Sequence, residues 1–148
     1  MSTEENKAVV RRAYEEGMNG KDMGIIDEVF APEYVAHFPG VPSIRGRDAI
    51  KELIGSFLAA FPDIVFTVED QIAEGDKVAT RWTARGTHQG EFRGFPPKTH
   101  GIPPTGNHVM FSATDIYRIT NGMIVEEWNT LEQLDVMQQL GVVSAPAE

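Results

Sequence analysis

The chain has 148 residues, which is typical of one domain with one hydrophobic core. Its 41% hydrophobic and 24% charged residues indicate a folded globular protein and exclude a disordered or fibrous one. The formal net charge of −9 argues against a nucleic acid partner, and the absence of cysteine excludes disulfides, thiolate metal sites and a cysteine nucleophile.

Two helices are predicted at the N-terminus. Ser2 and Glu5 have the spacing of a capping box, and an apolar helical repeat follows as far as the breaker Asn19-Gly20. Asp22 is placed to cap a second, short helix. This helix is predicted to end at Ala31-Pro32, because proline disfavours helix in the residue before it.

A strand over Glu33–Phe38 and a Pro-Gly turn separate these helices from a third one. The third helix has the strongest apolar stripe of the chain, and Phe61-Pro62-Asp63 ends it. The stripe consists of Ile50, Leu53, Ile54, Phe57, Leu58 and Phe61.

After residue 63 the hydrophobic period changes from 3.6 to 2, which indicates strands. A strand from Ile64, a long strand over Lys77–Thr87 and another over Val109–Thr120 are predicted, with a Gly/Pro-rich loop over His88–Asn107. Asn121-Gly122 is typical of a type I′ hairpin turn, so the next strand, over Met123–Thr130, should return antiparallel. A short C-terminal helix should end at Gly141, and Ser144–Glu148 should fray.

Helices first and a strand meander second predict an α+β fold, with three N-terminal helices on one face of a curved antiparallel sheet. We expect a single domain over residues 1–148, ordered from about 3 to 143. A sheet that curls over helices forms a cone with a cavity at its open end. The polar N-terminus and the lack of a long apolar run predict a cytoplasmic protein without a membrane partner.

Asp115 is the candidate for chemistry within this cavity. It shares one strand face with Phe111, Ala113, Tyr117 and Ile119. If this face is the inner one, burial raises the carboxyl pKa and makes Asp115 a usable acid or base near neutral pH. The alternatives are a solvated face, or an ion pair with one of the nearby arginines, Arg81, Arg85 and Arg118.

The histidines and tryptophans offer further candidates. His37 adjoins the Pro-Gly turn, and His88 and His100 lie at the end of the long strand and in the long loop, where binding residues concentrate. For each histidine the alternative is an ordinary hydrogen-bonded or solvated side chain. For Trp82 and Trp128, core packing is favoured over ligand stacking.

The sequence lacks other common signatures. No histidine pair has metal-ligand spacing, and no GxGxxG, Walker or GxSxG motif occurs. We therefore expect neither a metal nor a nucleotide cofactor.

The order of the segments resembles the SnoaL-like polyketide cyclases, often called ester cyclases, of the nuclear-transport-factor-2-like superfamily. Corresponding stretches cover almost the whole chain and are specific through their order and spacing. They are Asn6–Tyr14, Phe61–Asp63, Gly86–Phe92, Gly101–Gly106, Asp115–Ile119, Gly122–Trp128 and Gln138–Gly141.

This resemblance implies a cone-shaped fold, commonly dimeric, that closes rings by an intramolecular aldol reaction without metal or nucleotide. It implies that Asp115 is the acid/base. On physical grounds, we expect a nearby donor, His37, His88 or Asn129, to stabilise the oxyanion. Phe38 stands where related chains often have a second acid, so a two-carboxylate mechanism is not expected. The expected substrate-binding residues around an apolar, carbonyl-bearing molecule are Tyr14, Phe38, Trp82, His100, Tyr117, Trp128 and Asn129.

Two hypotheses follow. The first is an enzyme that transfers protons on an apolar carbonyl compound, in ring closure or isomerisation, with Asp115 at its centre. The second is a non-catalytic ligand-binding or dimerisation module with the same fold, because this superfamily contains enzymes, binding modules and assembly domains. The surroundings of Asp115 distinguish the two.

Overall fold

The computed structural model describes residues 2–94 and 101–142. Two predictions therefore lie outside the described residues: the binding role of His100 and the frayed tail over 144–148. The elements in chain order are α1 (Thr3–Arg12), a π-helical turn (Ala13–Met18), α2 (Met23–Val29), β1 (Phe30–His37), β2 (Ile44–Arg45), α3 (Arg47–Ala60), β3 (Val65–Glu74), β4 (Lys77–Thr87), β5 (His108–Thr120), β6 (Met123–Trp128) and α4 (Gln133–Gln139).

Both predicted helix caps are present in the structure. The hydroxyl of Ser2 accepts from the backbone N–H of Glu5, whose carboxylate accepts from the backbone N–H of Ser2 in return, forming the capping box. Asp22 caps α2 by accepting from the N–H groups of Gly24 and Ile25.

The first predicted helix is α-helical only as far as Arg12. From Ala13 it continues as a π-helical turn, in which the N–H of Asn19 donates to the carbonyl of Tyr14, five residues earlier. Such turns occur frequently at functional sites. The second helix ends at Val29 and passes directly into β1, which therefore begins three residues before the predicted Glu33.

The described strands form one sheet in the order β2-β1-β6-β5-β4-β3. Every neighbouring pair is antiparallel except β1 and β6, which run parallel, so the sheet is mixed. The short strand β2 was not predicted. The type I′ turn between β5 and β6 is confirmed, since Asn121 and Gly122 have φ values of 50° and 76°.

The core lies between the helices and the inner face of the sheet. Alternate residues of β4 and β5 point into it, including Trp82, Phe111 and Tyr117, and the helices contribute Val10, Ile26 and the buried stripe of α3. The predicted α+β architecture is confirmed. The helices thus cover one face of the sheet, and Asp115 belongs to that covered face.

Candidate active site

A largely apolar cavity of about 80 Å³ lies between α3, the π-helical turn and the inner face of the sheet. Its size allows more than a single water molecule. Only a few polar side chains reach it, among them Asp115, Glu127 and Asn129. The apolar lining includes Phe30, Phe38, Ile50, Leu53, Phe57 and Phe66.

Asp115 is 1% exposed and is held by several donors. Its Oδ2 accepts from Trp82 Nε1 at 2.9 Å and from Asn129 Nδ2 at 3.1 Å, and lies 3.5 Å from the Tyr117 hydroxyl. Its Oδ1 accepts from the backbone N–H of Thr130 at 3.0 Å. None of these partners is an arginine, and the face is not solvated, so both alternatives for Asp115 are excluded by the geometry.

A second buried carboxyl group, Glu127, lies beside Asp115. It is 5% exposed and accepts a hydrogen bond from the hydroxyl of Tyr34. The amide of Asn129 bridges the two acids, because its Nδ2 also lies 3.4 Å from Glu127 Oε2. The amide is oriented by Leu131, whose backbone N–H donates to Asn129 Oδ1 at 2.8 Å.

From the sequence we expected one acid in the cavity, and the structure places a second carboxyl group, Glu127, beside it. Phe38, which directly follows β1, lines the cavity, and β6 supplies the second carboxyl group. The sequence contained a usable signal: adjacent residues of a strand point to opposite faces, so one of Glu126 and Glu127 had to point inward.

A β-bulge in β6 decides which glutamate points inward. Ile119 pairs with Ile124, but Arg118 pairs with Glu126, so that Val125 has no partner in β5. Simple alternation would place Glu126 on the inner face together with Ile124. The extra residue reverses the alternation, and Glu127 enters the cavity.

Burial disfavours charge on both acids. It raises the pKa of Asp115, while hydrogen bonds from Trp82 and Thr130 act in the opposite direction. Burial and the negative charge of Asp115 raise the pKa of Glu127 to about 8. The hydrogen bonds from Trp82 and Thr130 favour the ionised form of Asp115, and the raised pKa of Glu127 favours its protonated form at neutral pH.

Two tyrosines complete the polar floor of the cavity. The hydroxyls of Tyr14, from the π-helical turn, and Tyr117 hydrogen-bond each other. Burial raises the pKa of both groups well above the ordinary value, so they stay neutral and available as donors. The ring of Tyr14 also lies 6.1 Å from that of Trp82.

His37 and Trp128 lie on the other side of the sheet. His37 hydrogen-bonds Ser43 at 2.8 Å and Glu126 at 2.7 Å, and its ring stacks on Trp128 at 5.7 Å. Neither side chain lines the cavity. The bulge that turns Glu127 inward turns Glu126 and Trp128 outward, so the geometry does not support the expected roles of His37 and Trp128 at Asp115.

His88 also stands apart from the cavity. It directly follows β4 and is fully buried, and its Nδ1 accepts from the backbone N–H of Thr105 at 3.2 Å. Its ring packs 5.6 Å from that of Phe61. The expected contact of His88 with Asp115 is not made, and its side chain bonds to Thr105 instead.

The described residues contain neither a metal-binding cluster nor a membrane-spanning helix. No group of three or more histidine, aspartate or glutamate side chains is arranged to hold a metal ion in the described part of the chain. Within the same residues, no helix combines the length and the apolar character needed to cross a membrane.

The sequence matches one protein family. The model of the family "SnoaL-like polyketide cyclase" matches residues 8–140. Comparison with curated protein sequences finds no match.

Solved structures of similar fold include AclR from Streptomyces galilaeus, described as a candidate hydroxylase, with 29% identity and a TM-score of 0.83 over 99% of this chain and 87% of that one. IdmH from Streptomyces antibioticus, a candidate polyketide cyclase, has 32% identity and a TM-score of 0.75 over 92% and 98% of the two chains. A Jannaschia protein at 23% identity, with a TM-score of 0.83 over 98% and 95%, shows the fold alone. The chain belongs to the SnoaL-like polyketide cyclase family.

Proposed function

We propose that this protein is a cofactor-independent cyclase or isomerase in which Asp115 moves a proton next to a carbonyl group of an apolar small molecule. The reaction envisaged is an intramolecular aldol-type ring closure. The observation that carries the proposal is the buried Asp115 carboxylate, which opens onto an apolar cavity and is held by neutral donors rather than by a cation.

The surroundings of Asp115 suit a base. A carboxylate without a paired arginine or lysine keeps its affinity for a proton, and burial raises its pKa further. The hydrogen bonds from Trp82, Asn129 and Thr130 fix the position of both carboxylate oxygens. A fixed base near its substrate needs little reorganisation during proton transfer.

The cavity lining supports an apolar substrate. Phe38, Trp82 and Leu53 contribute flat or branched apolar surface, and the hydroxyls of Tyr14 and Tyr117 lie beside the carboxyl group. We propose these tyrosines, Phe38, Trp82 and Asn129 as substrate-binding residues. Apolar walls with a few convergent polar groups are the usual composition of a small-molecule site.

The test follows exchange of the α-protons of 2-tetralone, a small apolar ketone, in D₂O by NMR. The wild type should accelerate exchange, and Asp115→Asn should abolish the acceleration while the protein still binds the ketone. Asp70→Asn is the matched control, because Asp70 is exposed on β3. Binding without any exchange in the wild type would favour the non-catalytic binding module.

We also propose a cytoplasmic homodimer that associates through the outer face of the sheet. Ile72, Ala79, Ile116 and Trp128 are register partners across β3, β4, β5 and β6, so they form one row on that face. Ile72 is 70% exposed and Ile116 is 40% exposed. A row of this kind can pair with itself about a two-fold axis.

Sedimentation analysis tests the dimer, and cell fractionation tests the location. Ile116→Asp should convert a dimer to a monomer, because it places a charge in the row. Leu134→Asp is the control: Leu134 is 59% exposed but lies on α4, away from the row. A monomeric wild type would refute the dimer.

A further inference from the structure

Glu127 has no part in the function proposed above, although it is buried in the same cavity. Its carboxyl group accepts a hydrogen bond from the hydroxyl of Tyr34 and lies 3.4 Å from Nδ2 of Asn129. No described lysine or arginine side chain bonds to it. A buried acid without a cation must be neutral, or must share a proton with a neighbour.

The neighbour is Asp115, which is also buried and bonded to the same amide nitrogen. Two adjacent carboxyl groups in an apolar site cannot both ionise without strong repulsion. The donors are divided unequally between them. Asp115 accepts from Trp82 and from the backbone of Thr130, which favours its ionised form. Among the described residues, the donors to Glu127 are Tyr34 and, at 3.4 Å, Asn129.

We propose that Glu127 is a second catalytic residue, whose protonated carboxyl group donates to the substrate carbonyl oxygen while ionised Asp115 removes a proton from the adjacent carbon. This proposal rests on the proposed function, which names a base but no acid, and it assigns the acid role to Glu127. Pairs of titratable groups whose environments favour opposite protonation states commonly divide the acid and base roles in this way.

The proton transfers balance without a co-reactant. The C–H bond next to the carbonyl breaks, its proton passes to Asp115, and its electron pair forms a carbon–carbon double bond. The carbonyl oxygen takes the proton of Glu127, which leaves an enol, a protonated Asp115 and an ionised Glu127. When the enol carbon attacks a second carbonyl group, the new alkoxide takes the proton of Asp115, and the enol hydroxyl returns its proton to Glu127. When a proton returns from Asp115 to carbon instead, the enol hydroxyl likewise returns its proton to Glu127, so both acids regain their original states.

The pH dependence follows from the groups that face Glu127. They are Asp115 and Tyr117 from β5, Tyr34 from β1, and Tyr14 from the π-helical turn. The tyrosines stay neutral because burial raises their pKa values well above the ordinary one. Activity should therefore rise as Asp115 ionises and fall near pH 8, where Glu127 loses its proton.

The experiment measures the pH profile of 2-tetralone exchange in D₂O for the wild type and Glu127→Gln. The carboxamide has nearly the same shape but does not titrate. We expect the fall near pH 8 to disappear and the maximal rate to drop by about 100-fold. Glu126→Gln is the matched control, because this adjacent glutamate points outward to His37 and Arg118 and should leave both the rate and the profile unchanged.

Tyr34→Phe gives a second readout that does not depend on the folding of the first variant. The hydroxyl of Tyr34 lowers the pKa of Glu127, so its loss should move the alkaline fall to higher pH. A carboxyl ¹³C titration of Glu127 without substrate should show the same upward shift.

The outcomes separate the two proposals. If Asp115→Asn abolishes exchange but Glu127→Gln retains the wild-type rate and the alkaline fall, the role of Glu127 is refuted and that of Asp115 stands. If the ¹³C titration places Glu127 at its ordinary value, the role of Glu127 is also refuted. If the wild type does not accelerate exchange at all, the proposed function fails, and the role of Glu127 fails with it.

Discussion

The indole Nε1–H of Trp82 donates to Oδ2 of Asp115 at 2.9 Å inside the cavity. The two residues come from neighbouring strands, β4 and β5, and both side chains are buried. This bond stabilises the ionised carboxyl group against the effect of burial. Trp82 therefore acts on the chemistry of Asp115 as well as on the packing of the core.

Trp82→Phe should raise the pKa of Asp115, because the hydrogen bond from the indole N–H is lost. Phenylalanine keeps an aromatic ring in the core at this position. A ¹³C titration of the aspartate carboxyl groups measures the shift. Trp128→Phe is the control, since Trp128 lies on the outer face of the sheet and is not bonded to Asp115. An equal shift in both variants would contradict a specific effect of the Trp82 bond.

Gly90 lies against the end of α3. A Cβ atom at this position would lie 2.1 Å from the carbonyl oxygen of Ala59, and the backbone N–H of Gly90 donates to Ala60 at 3.1 Å. Gly90→Ala should therefore lower the free energy of unfolding, because backbone must move. The reduction should be at least about 1 kcal/mol, measured by urea unfolding.

Gly55 is the matched control for this substitution. It lies within α3, and a Cβ atom there would meet only the end of the Met23 side chain at 3.8 Å. Gly55→Ala should stabilise the protein by about 0.5–1 kcal/mol, because alanine loses less backbone entropy in a helix. The same sign of change in both variants would refute the explanation by close contact.

Asn19 bonds to the free edge of β3, as a neighbouring strand would do. Its side-chain amide donates to the carbonyl of Phe66 at 2.8 Å and accepts from the N–H of the same residue at 2.7 Å. Asn19→Ala should cost about 1–3 kcal/mol of unfolding free energy, since both groups are partly buried.

Gln139 makes the equivalent pair of bonds to the backbone of Met110, but at an exposed position. Gln139→Ala should therefore cost less than Asn19→Ala, because water replaces the lost bonds. Thermal or urea unfolding of the two variants compares these costs. Equal costs would show that burial does not determine the contribution of Asn19.

Local signals account for what could be predicted from the sequence. The capping residue Asp22, the strand over Lys77–Thr87 and the turn at Asn121 each depend on a few neighbouring residues. The inner position of Asp115 follows from alternation along one regular strand. These features needed no knowledge of distant partners.

The second acid could not be placed in the same way. Its orientation depends on the bulge at Val125, which forms where β6 pairs with β5 on one side and with β1 on the other. The residues of the β5–β6 hairpin do not mark where a bulge interrupts its pairing, and the pairing of β6 with β1 joins strands that are far apart in the sequence. For the same reason His37, on β1, was expected near the cavity and lies instead against Glu126 on the outer face.

The burial of His88 predicts a pH-dependent stability. Its Nδ1 accepts from the N–H of Thr105, so the ring must be neutral, and burial lowers the pKa of His88. The unfolded state, with a pKa of about 6.5, therefore takes up a proton first as the pH falls. The stability from neutral His88 is fully present above about pH 6.5 and is lost as the pH falls from there toward the lower folded pKa.

His88→Gln removes this titration while its side chain can still accept a bond from Thr105. Urea unfolding at about pH 7.5 and about pH 5 should show a smaller loss of stability in the variant than in the wild type. The carboxyl groups titrate in both proteins, so the difference between the two losses isolates His88. Equal losses would contradict a neutral His88 that is bonded to Thr105 in the folded state.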